Sequence, residues 1–63
     1  MDCGTFTRAV GRELLLAGAP YYDADLRRYL DAVWGSARRD PDPRGWARQY
    51  AGTLGLSADG LWP

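Results

Sequence analysis

The chain has 63 residues, and its eight arginines balance eight acidic residues, so the formal net charge at neutral pH is zero. It contains no histidine and no lysine, and Cys3 is its only cysteine. General bases, amine nucleophiles and clusters of metal ligands are usually built from these side chains. The composition therefore predicts a protein that is not an enzyme, binds no cofactor or metal, and has no disulfide framework.

Neutrality also removes the positive field expected of a dedicated nucleic-acid-binding protein, and it favours self-association. The longest apolar run covers residues 14–17, far fewer than the roughly 20 residues that cross a bilayer. No charged leader with an apolar segment begins the sequence. We expect a soluble, cytoplasmic protein that forms one small domain over residues 1–63 and does not contact a membrane.

The first predicted helix covers residues 6 to 17. Thr5 is its predicted N-cap, and Gly18 supplies the left-handed residue that ends it. One apolar stripe runs along the helix at spacings of four, four and three: Phe6, Val10, Leu14 and Ala17. Leu15 and Leu16 point well away from this stripe, so the helix is apolar on more than one side.

The second predicted helix covers residues 24 to 38, with Asp23 as its N-cap. Six apolar side chains follow the spacing of an amphipathic helix: Leu26, Tyr29, Leu30, Val33, Trp34 and Ala37. Two local ion pairs are expected on the charged face: Arg27 with Asp31, and Asp25 with Arg28. This regular pattern makes the second helix the clearest element of the sequence.

The third predicted helix covers residues 43 to 54. Asp42 is its predicted N-cap, and Pro43 suits the first helical position because proline has no N–H to leave unpaired there. Gly55 is placed to end the helix, with Leu56 folding back on it. The apolar stripe of this helix is made of five residues: Trp46, Ala47, Tyr50, Ala51 and Leu54.

Three amphipathic helices joined by short connections predict an all-α, compact three-helix bundle in which each helix packs on the other two. Residues 57–63 are left as a short tail with at most one helical turn. Tyr21 and Tyr22 lie in the first connection, where they can cover the end of the bundle or present a ligand surface, and covering the core is the preferred interpretation. Cys3 lies near the N-terminus, and we expect a passive thiol there.

Residues 51–61 resemble the turn of helix-turn-helix DNA-binding domains. In that motif a small residue precedes a turn glycine by four positions, a polar residue follows the glycine, and an apolar residue lies six positions beyond it. Those places are held here by Ala51, Gly55, Ser57 and Leu61. A second helix in this segment would contain Gly60 and would be too short to lie along a major groove. We therefore favour a plain helix end followed by an ordered tail.

Four arginines flank the linker between the second and third helices: Arg38, Arg39, Arg44 and Arg48. Their guanidinium groups would form a patch able to bind phosphate or carboxylate in a bidentate manner. Asp40 and Asp42 lie in the same segment and partly neutralise the patch. A solvated, locally paired surface is the preferred interpretation, and a nucleic-acid-associated regulator is kept as the alternative function.

Protein–protein interaction is the preferred function. Leu15 and Leu16 form a surplus apolar side of the first helix. Gly45 and Gly52 lie within about 20° of each other around the third helix, where each costs roughly 1 kcal/mol relative to alanine. Close approach of another backbone would explain these glycines, and so would coding bias. We predict a non-catalytic interaction module, either a homo-oligomer or an adaptor subunit of a larger protein.

Overall fold

The structure, a computed structural model, describes residues 1–56 and contains three helices. They are α1 (Cys3–Ala17), α2 (Asp23–Ala37) and α3 (Pro43–Thr53), and each contacts the other two. No strand occurs among residues 1–56. The predicted all-α three-helix bundle is confirmed. The predicted tail and the Ser57 and Leu61 positions of the helix-turn-helix resemblance lie outside the described residues.

The first turn of α1 begins three residues earlier than predicted, because Asp2 is the N-cap. Its carboxylate accepts a hydrogen bond of 2.6 Å from the backbone N–H of Thr5. The prediction that Thr5 caps this helix is therefore wrong, since Thr5 lies inside the first turn. An aspartate in an extended conformation at this position satisfies an N–H that has no partner within the helix.

The start of α2 also differs by one residue from the prediction. Tyr22 occupies the N-cap position, and its carbonyl accepts a 3.0 Å hydrogen bond from the N–H of Leu26. Asp23, the predicted N-cap, is the first helical residue and forms no side-chain cap. Asp23 and Asp25 instead place negative charge in the first turn, where it is favourable to the helix dipole.

Glycine ends α1 and α3 in the same way, as predicted. Gly18 and Gly55 have φ angles of 74° and 77°, and each donates its N–H to the carbonyl three residues earlier, at 3.0 and 3.1 Å. Ala19 and Leu56, one residue further on, donate to the carbonyl five residues earlier, at 2.9 and 3.1 Å. These paired bonds satisfy carbonyls that have no helical partner, and they fold Leu56 back on α3.

The third helix begins at Pro43, as predicted, with Asp42 at the N-cap position, although the Asp42 carboxylate forms no capping hydrogen bond. The helix ends at Thr53, one residue earlier than predicted. The sequence predicts Leu54 in the apolar stripe, but Leu54 follows the helix and is 42% exposed. That assignment is wrong, because the chain leaves the helical path at Leu54 and Leu56 packs on the core instead.

The core is formed by the predicted stripes of all three helices. Its completely buried members are Phe6, Val10 and Leu14 of α1, Leu30 and Ala37 of α2, and Ala47 and Ala51 of α3. Two aromatic pairs hold the helices together, Phe6 with Trp34 and Tyr29 with Tyr50, each with ring centroids 5.3 Å apart. Such pairs contribute about 0.5–1.5 kcal/mol each beyond the apolar area they bury.

These contacts also fix the helix directions. Phe6, at the start of α1, meets Trp34, near the end of α2, so the two helices run antiparallel. Tyr50, near the end of α3, meets Tyr29 in the first half of α2. The end of α1, the start of α2 and the end of α3 therefore lie at the same end of the bundle. Among residues 1–56, no helix is both long and apolar enough to cross a lipid bilayer.

We expect Phe6→Ala to remove most of the free energy of unfolding at room temperature. Truncating a buried phenylalanine costs about 3–5 kcal/mol, whereas a small domain has a total stability of about 5 kcal/mol. Phe6→Leu keeps most of the apolar volume and serves as the control. Circular dichroism during urea unfolding measures both variants, and a Phe6→Ala midpoint close to wild type would contradict this account of the core.

Asp2 makes the stability depend on acidity. The hydrogen bond from the Thr5 N–H lowers the pKa of Asp2 in the folded protein. Its contribution is therefore present above the ordinary aspartate pKa and is lost as the pH falls through the lowered folded value. Asp2→Asn keeps a capping side chain but does not titrate. Urea unfolding across acidic pH should show a steeper loss in wild type than in Asp2→Asn; equal slopes would refute the role of Asp2.

Candidate interaction surfaces

One end of the bundle carries an exposed set of large apolar side chains, which we call the apolar end. Its members and their exposed fractions are Leu15 (68%), Leu16 (75%), Tyr22 (78%) and Leu54 (42%). The two leucines lie in the last turns of α1, Tyr22 precedes α2, and Leu54 follows α3. The structure therefore places the two leucines predicted to form an interface at the same end as Tyr22 and Leu54, for which the sequence predicts core positions.

A groove of about 440 Å³ lies at the same end. It is lined by Pro20, Tyr21, Tyr22, Tyr50, Leu54 and Leu56. Burial, and secondly the negative charge of Asp25, raise the pKa of the Tyr50 phenol in the lining of this groove. Tyr21 packs against the core as expected, but Tyr22 is mostly exposed, so the prediction that it covers the end of the bundle is wrong.

The two candidate glycines have different surroundings. A Cβ atom added to Gly45 would lie 2.6 Å from a carboxylate oxygen of Asp42, so this chain's own side chain occupies the space beside Gly45. A Cβ atom added to Gly52 would meet nothing within 4 Å. Gly52 lies in the last turn of α3, close to the apolar end, whereas Gly45 lies in the first turn, at the opposite end.

The predicted arginine patch lies around the connection between α2 and α3. All four of its arginines are exposed: Arg38, Arg39, Arg44 and Arg48. Asp40 and Asp42 are exposed in the same segment, which keeps the local charge mixed. Contact of this patch with nucleic acid stays a prediction.

Of the two ion pairs expected on α2, one forms. Arg28 lies 3.9 Å from Asp25 on the surface, but Arg27 and Asp31 form no ion pair. Asp31 instead accepts a hydrogen bond of 3.2 Å from the thiol of Cys3. Burial first, and this hydrogen bond second, raise the pKa of the Cys3 thiol, which disfavours the reactive thiolate. Within residues 1–56, no group of three potential ligands could hold a metal ion.

A second set of arginines was not recognised in the sequence. Arg8 and Arg12 of α1 and Arg27 of α2 line one depression of about 220 Å³ between the two helices. The spacing of four residues between Arg8 and Arg12 indicates a shared face of α1. Their proximity to Arg27 depends on how α1 packs against α2, and sequence spacing carries no information on that packing.

Comparison with known proteins gives no match among family models, curated proteins or solved structures. The functional argument therefore depends on the geometry of these surfaces alone.

Gly52→Ala tests whether another backbone approaches α3 closely. Gly35 in α2 is equally open, so Gly35→Ala is the matched control. Both variants should raise the free energy of unfolding of the dilute protein by about 0.5–1 kcal/mol, because alanine favours the helix. We expect only Gly52→Ala to weaken self-association in light scattering at high concentration. Equal association of the two variants would remove Gly52 from the interface.

Proposed function

We propose that the protein is a non-catalytic interaction module that associates with a second copy of itself through the apolar end. The observation that carries this proposal is the exposure of four large apolar side chains at one end of the bundle, namely Leu15, Leu16, Tyr22 and Leu54. Single exposed leucines are ordinary, whereas a concentrated apolar surface is typical of an interaction site.

The energetic scale favours weak association. Full burial of one leucine side chain is worth about 1.5–3 kcal/mol, and Leu15 and Leu16 are 68% and 75% exposed. The two leucines thus provide a few kcal/mol, whereas association costs about 4–15 kcal/mol of lost freedom. Tyr22 and the adjoining groove must contribute as well. A dissociation constant above about 1 μM, which corresponds to 8.2 kcal/mol, is therefore expected.

A second copy suits this surface for two reasons. Protruding leucines and a concave apolar groove lie at the same end, so a two-fold axis there can place the leucines of each copy toward the groove of the other. The zero net charge of the chain also means that no overall repulsion opposes the approach of two copies. The proposal places the protein in the cytoplasm, where a single cysteine stays reduced.

Leu16→Glu tests the proposal because Leu16 is exposed and contributes little to the core. A charge at a desolvated interface is unfavourable, so we expect the variant to be monomeric at concentrations at which wild type associates. Ala32→Glu adds the same charge at an exposed position in the middle of α2 and is the matched control. Light scattering after size exclusion, with reductant to prevent Cys3 crosslinks, measures the mass.

Circular dichroism establishes that both variants remain helical. Association that persists unchanged in Leu16→Glu would refute the role of the apolar end. A wild-type protein that stays monomeric at millimolar concentration would refute self-association. The apolar end would then be left for a different protein, and the adaptor function would replace the homo-oligomer.

A further inference from the structure

We propose that the depression between α1 and α2 binds a small phosphate monoester through Arg8, Arg12 and Arg27. This inference does not require the proposed self-association: the charge of the site comes from three arginines outside the apolar end, although Leu15 and Tyr21 border both surfaces. Three observations carry it: the charge of the depression, the absence of ion pairs between its arginines and the rest of residues 1–56, and a hydroxyl donor beside Gly11.

The charge of the depression is strongly one-sided. Its lining contains three guanidinium groups and one carboxylate, that of Asp23. Arg8 and Arg12 lie one helical turn apart on α1, and Arg27 faces the same space from α2. Like charges at this spacing repel and disfavour the helix slightly. An anion between the two arginines would attract both and offset that repulsion.

None of the three arginines forms an ion pair with the described residues. The ion pair described on this surface joins Arg28 to Asp25, on a neighbouring part of α2. Arg8, Arg12 and Arg27 therefore keep their N–H donors available for a ligand. Guanidinium groups match the geometry of phosphate oxygens because they donate two parallel hydrogen bonds.

Gly11 and Tyr21 provide a further donor. Gly11 is buried, and a Cβ atom added to it would lie 2.9 Å from the Tyr21 hydroxyl. Because Gly11 has no side chain, the Tyr21 phenol can pack against α1, in the lining of the depression that contains the arginines. The hydroxyl forms no hydrogen bond with residues 1–56, so it is available to donate to a phosphate oxygen.

The size and surroundings of the depression favour a small ligand. A volume of about 220 Å³ suits one phosphate group. An adjoining depression of about 410 Å³ shares Arg8 and Arg27 and also contains Cys3 and Asp31. The Asp31 carboxylate can accept hydrogen bonds from hydroxyl groups, so the remainder of a hydroxyl-bearing monoester would lie there.

The experiment is a titration of the full chain with inorganic phosphate and with glycerol phosphate at low ionic strength, followed by backbone amide NMR shifts. We expect saturable shifts along α1 and α2 around Gly11, and tighter binding of glycerol phosphate. Arg27→Gln should weaken affinity about tenfold or more, because it removes a charge-assisted hydrogen bond. Tyr21→Phe should weaken it less.

Arg28→Gln is the matched control, since it removes the same charge from the next residue without changing the lining. Equal weakening by Arg28→Gln and Arg27→Gln would show general attraction to anions and overturn the site. Shifts that do not saturate, or that centre on Arg38 and Arg44, would overturn it too. A short DNA duplex is titrated in parallel, and tighter saturable binding of the duplex at the same amides would overturn the assignment to a small monoester.

Discussion

The burial of one apolar stripe of α1 determines which side chains of this helix are exposed at the surface. Phe6, Val10 and Leu14 are completely buried, and α1 packs against both α2 and α3. Successive residues of a helix are about 100° apart, so fixing Leu14 inward turns Leu15 and Leu16 outward. The exposed leucines of the apolar end are therefore a direct consequence of the core, and no rotation of α1 buries them without exposing Phe6 or Leu14.

The same packing produces the depression between α1 and α2. Gly11 lies between Val10 and the charged residue Arg12, on the side of α1 that meets Tyr21 and Leu26. A side chain at Gly11 would need the space that the Tyr21 hydroxyl occupies. Gly11 thus lets the first connection approach α1 closely. Arg8 and Arg12, on either side of this contact, line the open depression between α1 and α2.

The three-helix bundle and the glycine ends of two helices could be predicted from sequence, whereas the N-caps of α1 and α2 and the individual side-chain contacts between helices could not. The ends of α1 and α3 follow from Gly18 and Gly55, because few other residues adopt a positive φ at low cost. The N-caps were predicted less well, since Asp2 and Thr5 both suit that position and the sequence does not choose between them. The predicted Arg27–Asp31 pair does not form, and Cys3, 28 residues away in the chain, donates to Asp31 instead. The depression lined by Arg8, Arg12 and Arg27 likewise depends on how α1 packs against α2, which the sequence does not show.

The apolar end and the depression between α1 and α2 meet at Leu15 and Tyr21. Leu15 belongs to the apolar end and also lines the depression that holds the three arginines, while Tyr21 lines both the depression and the groove. Two copies joined at the apolar end would bring their depressions close together, and the two sets of guanidinium groups would repel each other. An anion in each depression would reduce that repulsion. Binding at the two surfaces would then be thermodynamically linked, so that a bound anion strengthens association by the same factor by which association strengthens anion binding.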